Sequence, residues 1–302
     1  MANTIKHSIC PSCGKPGIAP ALTCKDFTVS SENFEVWECS SCSLRFTQNA
    51  PTEEAIGPYY QSDAYISHTD SEEGIVNKLY KIAQNYTLAW KTGLLKKHLV
   101  TSGLEKKLLD IGAGTGAFLH AAIKDGWNGV GLEPDAGARK LCLEKYRLTL
   151  DEPGKLFELP SASFDAISMW HVLEHVHQLH AYLDEIKRLL HPGGTGFIAL
   201  PNYTSWDAMH YGPFWAAYDV PRHLYHFSPQ ALSTLASQHG MEVVHTKPMW
   251  LDAFYISMLS EQYQTGKNKL PSAVLKGLRS DWVSLKNSNK CSSLVYVLKH
   301  KK

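Results

Sequence analysis

The stretch Leu108-Leu109-Asp110-Ile111-Gly112-Ala113-Gly114-Thr115-Gly116-Ala117-Phe118-Leu119 decides the fold. An apolar run carries one acid into three alternating glycines, and an amphipathic segment follows. This pattern predicts a buried strand, a tight turn and a helix start, the device with which α/β proteins hold a nucleotide-like ligand. Glycines at the turn let the backbone bend sharply and let a ligand approach where a Cβ would collide.

The glycine spacing alone admits two ligands. Gly112, Gly114 and Ala117 also fit the dinucleotide-binding fingerprint, and Glu133 stands 21 residues after Gly112, where an acid can accept both ribose hydroxyls. Asp110 discriminates between them. A carboxylate at the turn repels a pyrophosphate but attracts an ammonium group. The pattern therefore favours S-adenosyl-L-methionine over a nicotinamide dinucleotide, and a dehydrogenase is the weaker alternative.

Further motifs follow in order. Residues 129–135 read as a second strand ending in Glu133-Pro134-Asp135. Residues 163–176 contain Trp170-His171-Val172-Leu173-Glu174-His175-Val176 and read as a fourth strand running into a short helix. Leu189-Leu190-His191-Pro192-Gly193-Gly194 marks a helix end and a turn before a strand over 196–200. On these residues the chain resembles the class I S-adenosylmethionine-dependent methyltransferases, in particular the branch of the ubiquinone-biosynthesis O-methyltransferases. The resemblance spans about residues 85–250. It implies an α/β Rossmann-like sheet, seven-stranded and mostly parallel, with helices on both faces. It also implies a cofactor-binding set of Asp110, Gly112, Ala113, Gly114, Gly116, Glu133, Pro134, Trp170 and His171. In the ubiquinone-type relatives a Glu-His pair at the position of Glu174 and His175 is associated with a divalent metal. Those relatives carry a further glutamate where this chain has Trp170, a departure that speaks against a metal-assisted step.

Four of the seven cysteines form two Cys-x-x-Cys knuckles, Cys10/Cys13 and Cys39/Cys42, with 25 residues between them. Each knuckle turns two thiolates toward one tetrahedral ion, which predicts a zinc ribbon with a closed, structural site. Gly14 permits the bend after the first knuckle, and Ser43 stands at the equivalent place after the second. Paired disulfides and vestigial, metal-free knuckles are the alternative readings. Alternation over 34–39 predicts a strand entering the second knuckle. The expected organisation is a zinc module over 1–50, a linker and helical lid over 51–100, and a methyltransferase domain over 101–302. Within the last, a helical insertion is expected over about 248–292.

The balance of 30 Lys and Arg against 29 Asp and Glu leaves a formal charge of +1. That is no footprint of a polyanion-binding surface, so nucleic acid is not the expected partner. No apolar run spans a bilayer and no leader pattern is evident, so a cytoplasmic location is expected. The oligomeric state is not legible.

The fold expectation places acceptor-binding groups after the fourth and fifth strands. Residues 211–227 gather aromatics with Asp219, Arg222, His223 and His226, more than a connector needs. Transfer to a hydroxyl needs a base, and histidine titrates near neutrality. The candidates are His223 first, His226 second, and His171 on the rim of the fourth strand, with His175 placed on the same helical face as His171. Arg222 is either an anion clamp or the partner of Asp219. Tyr60, Tyr65 and His68 are read as lid residues or as linker packing, and Lys91 as near the cofactor carboxylate or solvated. The expected reaction is methyl transfer to a small-molecule or carrier-bound acceptor, at oxygen. A sugar C-methyltransferase, an RNA methyltransferase and a catalytically inactive zinc-bearing interaction protein are the alternatives.

Overall fold

The computed structural model describes residues 3–61, 75–98, 105–267 and 269–301, with side chains in the 75–98 helix from Gln84 onward. Tyr65 and His68 lie outside the described residues. The chain opens with five short strands: β1 (Thr4–Ile5), β2 (Ile18–Lys25), β3 (Asn33–Cys39), β4 (Arg45–Thr47) and β5 (Ala50–Pro51). β2, β3 and β4 form an antiparallel meander, and β3 is the strand expected from the alternation at 34–39. Asp26 shapes the β2–β3 turn by accepting from the backbone N–H groups of Thr28, Val29 and Ser30.

Helix α1 (Ile75–His98) leads into alternating elements: β6 (Lys106–Ile111), α2 (Ala117–Lys124), β7 (Trp127–Leu132), α3 (Ala136–Tyr146), β8 (Phe164–Trp170), α4 (Leu179–Leu189) and β9 (Leu190–Pro201). Local chemistry sets the helix ends. Asp135 caps α3 by accepting from Ala138 N at 2.6 Å. In α4, Leu179, Leu183, Ile186 and Leu189 recur at helical spacing and are all buried in the core, each worth roughly 1.5–3 kcal/mol.

The remainder comprises α5 (Trp206–Tyr211), β10 (Tyr225–His226), α6 (Pro229–Gln238), β11 (Met241–Pro248), α7 (Asp252–Thr265), α8 (Leu270–Lys286) and β12 (Ser293–His300). The main sheet runs β11-β12-β9-β8-β6-β7, with β12 antiparallel to both neighbours and β9, β8, β6 and β7 parallel. It has six strands among the described residues, not the seven expected. Beyond β7, a single parallel bridge joins Leu132 to Asp151. The apolar run Leu148-Thr149-Leu150 is too short to pair further before Pro153 opens a 3-10 turn.

One long-range feature was not expected. β10 pairs antiparallel with β4, so the loop after β9 becomes the fourth strand of the amino-terminal sheet. Thr47 reinforces this seam by donating its backbone N–H to Leu224 O at 2.9 Å and its hydroxyl to His223 O at 2.7 Å. The insertion forms an α7–α8 hairpin and is helical, as the sequence led us to expect. Its buried faces consist largely of small residues, and a Cβ on Gly277 would stand 3.1 Å from Phe254 Cα. Close helix packing therefore requires glycine there.

Candidate functional site

The cofactor loop lies at the carboxyl ends of β6 and β7. Gly112 N and Ala113 N both donate to Leu132 O, which folds the loop over the neighbouring strand. Gly114 has φ +54°, and nothing lies within 4 Å of where its Cβ would be, so this face is open to a ligand. Glu133 is buried; its Oε2 accepts from Gly114 N at 2.7 Å and its Oε1 from Asp135 N at 2.9 Å. These bonds orient the carboxylate and leave further lone pairs for vicinal hydroxyls. Pro134 sits beside it, its carbonyl accepting from Arg139.

Asp110 is buried at the end of β6 and accepts from Ser168 Oγ at 2.7 Å. Burial pushes its carboxyl up to about 7, opposed by the Ser168 hydroxyl and by the charge of Lys91. Ser168 was missed in the sequence. Its signal was a lone hydroxyl in the apolar strand β8, directly opposite Asp110 in the parallel register. Lys91 is not solvated. Its Nζ stands 4.3 Å from the Trp170 ring centre, and burial lowers its pKa to about 8 against the pull of Asp110 and Asp252. Trp170 meets Phe118 of α2 edge to face at 5.1 Å.

The segment after β8 is a turn, not the expected helix. His171 adopts φ +60°, which breaks any helical run, so His171 and His175 do not share a helical face. His171 Nε2 lies 3.2 Å from Asp252 Oδ2 on the hairpin, and its Nδ1 lies 3.5 Å from Glu174 Oε1. Burial alone would lower its pKa, but the two carboxylates raise it to about 9. His171 is accordingly an imidazolium at neutral pH.

Beside it, Glu174, His175 and His223 converge. One ligand atom from each lies within 4.8 Å of the others. His175 Nδ1 is 3.1 Å from both Arg222 O and Tyr60 Oη, and His223 Nδ1 is 2.9 Å from Ala217 O. A carbonyl only accepts, so each Nδ1 carries a proton, and in the neutral ring the lone pair is then on Nε2. Burial, with His223 adjacent, lowers His175 to about 4. Apart from the 3.5 Å approach of His171, both Glu174 oxygens are buried without a hydrogen-bond partner among the described residues. A carboxylate and two imidazoles around one point can share a proton or take a small cation. Trp170, at the position of the relatives' further glutamate, contributes no ligand atom and faces Lys91 and Phe118 instead.

The other loop candidates have different surroundings. His226 is buried, with Nε2 3.3 Å from Thr47 Oγ1 and its ring against Tyr218. It belongs to the seam with the amino-terminal sheet. Arg222 is 1% exposed and donates to Asp26, Asp219 and Tyr59 O. Its donors are occupied by the protein, so it is the partner of Asp219 and not an anion clamp. Asp26 was not singled out from the sequence, because its partner stands 196 residues away.

At the other end of that sheet, Cys10, Cys13, Cys39 and Cys42 cluster with all four Sγ atoms within 4.8 Å of one another. The Cys10–Cys42 and Cys13–Cys39 sulfurs are 3.6 Å apart. A zinc tetrahedron places thiolates about 3.8 Å apart, whereas a disulfide requires about 2.05 Å. Gly14 N and Ser43 N close the two knuckles by donating to Cys10 O and Cys39 O, with positive φ at Gly14 and Ser43. The cluster fits a zinc ribbon.

Residues 81–246 match the methyltransferase domain family. An uncharacterized methyltransferase of Mycolicibacterium vanbaalenii is 30% identical over 147 residues, covering 47% of this chain and 55% of the relative. A ubiquinone biosynthesis O-methyltransferase of Bradyrhizobium sp. is 33% identical over 106 residues, 33% of this chain and 41% of the relative. The chain thus spans about half the length of the curated relatives it matches. Among solved structures, phosphoethanolamine N-methyltransferase 2 of Haemonchus contortus, bound to S-adenosyl-L-methionine, superposes with a TM-score of 0.51 at 15% identity. That superposition covers 91% of this chain and 71% of the other. It shows the shared fold. With the family match extending over more than half of its length, the chain belongs to the methyltransferase domain family.

Proposed function

We propose that the chain transfers the methyl group of S-adenosyl-L-methionine to an oxygen of a small-molecule or carrier-bound acceptor, with His223 as general base. One observation carries this reading. The Nδ1–H of His223 is committed to the Ala217 carbonyl, which in the neutral ring puts the lone pair on Nε2, and a ring nitrogen of His223 lies within 4.8 Å of a Glu174 oxygen. Such a nitrogen can take the acceptor's proton, and the adjacent carboxylate stabilises the imidazolium that results.

When bound, S-adenosyl-L-methionine supplies an electrophilic methyl on a sulfonium and leaves as a neutral thioether. Asp110 would meet the ammonium group of the amino-acid moiety, Glu133 the ribose hydroxyls, and the open face at Gly114 the close approach of the ligand. Gly112, Ala113 and Gly116 would shape that loop, and Trp170 would wall it. His171, already charged, suits an acceptor's developing negative charge better than it suits proton abstraction. His226 reads as support for the loop and not as a second base.

We further propose one structural zinc on Cys10, Cys13, Cys39 and Cys42. Four thiolates held this way suit a reducing compartment such as the cytoplasm. Among the described residues no helix is long and apolar enough to cross a membrane.

The test is calorimetric titration of zinc-replete protein with S-adenosylhomocysteine, NADH serving as control. A screen of hydroxylated acceptors for labelled-methyl transfer follows. Saturable binding of the thioether alone, with transfer abolished by His223→Ala, is expected. Binding of NADH alone would overturn the reading.

A further inference from the structure

Helix α8 is built inside out. Its buried face against α7 carries Ala273, Gly277, Ser280 and Ser284, all small. Its large apolar side chains point to solvent instead: Leu275 is 69% exposed, Leu278 53%, Trp282 55% and Leu285 73%, with Leu270 and Val274 extending the stripe. At about 100° per residue these six side chains fall within one arc of about 140°. Scattered exposed leucines need no explanation, but a continuous stripe along a 17-residue helix does.

Charge identifies what the stripe fits. The hairpin and the turn that follows it, residues 252–290, hold six cations (Lys267, Lys269, Lys276, Arg279, Lys286 and Lys290) against three acids. The acids are engaged inward. Glu261 is buried and pairs with Lys276, Asp252 holds His171, and Asp281 is partly buried near Asp207 and Asp252. Arg279 and Lys286 border the apolar stripe on one side. Lys286 Nζ lies 3.9 Å from the ring centre of Trp282, and the Arg279 guanidinium lies 5.1 Å from that of Trp206.

An apolar stripe edged by cations and carrying an exposed tryptophan is complementary to an anionic lipid surface. A second copy of the chain fits it less well. Antiparallel pairing about the midpoint between Trp282 and Val283 would set Arg279 of one helix against Lys286 of the other, cation on cation.

We propose that the exposed face of α8 docks on anionic lipid headgroups, with Leu275, Leu278, Trp282 and Leu285 entering the headgroup–acyl boundary and Arg279 and Lys286 meeting the lipid charge. The helix lies on the membrane and does not span it. This inference does not depend on which acceptor is methylated or on the identity of the base.

The experiment is co-sedimentation of the full, zinc-replete chain with vesicles of phosphatidylcholine alone and of phosphatidylcholine with phosphatidylglycerol. Light scattering of the free protein accompanies it. Binding to the anionic vesicles is expected to be at least about tenfold tighter than to the neutral ones and to weaken with salt. Leu278→Ser with Leu285→Ser, and separately Arg279→Glu with Lys286→Glu, should each lower it by roughly the same factor. Both pairs are surface changes, and an unaltered S-adenosylhomocysteine isotherm checks that the fold persists. Equal sedimentation with and without anionic vesicles would overturn the proposal. So would a dimer in solution that Leu278→Glu dissociates, because the stripe would then be covered by a second copy.

Discussion

His171 Nε2 and Asp252 Oδ2 stand 3.2 Å apart, and this pair latches the helical hairpin to the end of β8. Its strength should follow pH in a defined direction. The folded pKa of His171, about 9, lies above its ordinary value of 6.5. The stabilisation is therefore complete below pH 6.5 and is lost as pH rises through about 9. Asp252→Asn should lower the melting temperature by roughly 2–4 °C at about pH 6.5, as about 1 kcal/mol would in a domain of this size. The difference from the parent should shrink toward zero above pH 9. Calorimetric melts across this range decide it, and a difference independent of pH would remove the charged latch from the account.

Asp110 should govern affinity for the cofactor more than it governs folding. It is buried, and the Ser168 hydroxyl donates to it, so its carboxylate is oriented for a cationic ligand. Losing a charge-assisted hydrogen bond costs about 1.5–3 kcal/mol, or roughly 10–150-fold in affinity. Asp110→Asn should weaken S-adenosylhomocysteine binding by that factor without creating affinity for NADH. Because burial raises the Asp110 pKa, affinity in the parent should also fall as the solution is acidified through about 7, and this dependence should vanish in the variant. Titrations at two pH values measure both effects.

These local sites were legible because their chemistry is contiguous in sequence. Asp110, Gly114 and Glu133 lie at the ends of two adjacent strands, and the knuckle cysteines are three residues apart within each pair. What escaped notice depends on distant pairing. No local pattern announces that Tyr225 will lie opposite Phe46, that Arg222 will reach Asp26, or that Asp252 will meet His171. The turn at His171 escaped for a different reason: a positive φ at a non-glycine residue has no sequence signature.

Metal removal should separate the amino-terminal module's role from cofactor binding. The knuckles anchor β3, β3 pairs with β4, and β4 pairs with β10 beside His223. Chelation, or Cys39→Ser, should remove one zinc per chain by elemental analysis and lower the melting temperature. It should reduce methyl transfer at least about tenfold while S-adenosylhomocysteine affinity changes no more than about twofold, since Asp110, Gly114 and Glu133 sit on a different sheet from the module. Retention of full transfer by metal-free protein would show that the seam does not position the loop.

The two histidines of the loop should behave differently when removed. His223 stands in the cluster with Glu174 with its Nδ1 committed to Ala217 O, whereas His226 is buried against Thr47 and Tyr218. Loss of a general base costs roughly 10²–10⁴-fold in rate. His223→Ala should lose kcat on that scale with S-adenosylhomocysteine affinity within about twofold of the parent, and added imidazole should restore part of the rate. His226→Ala should instead lower the melting temperature, because it empties a packed site at the β4–β10 seam, and imidazole should restore nothing. If His226→Ala is the variant whose rate imidazole rescues, the assignment of the base reverses.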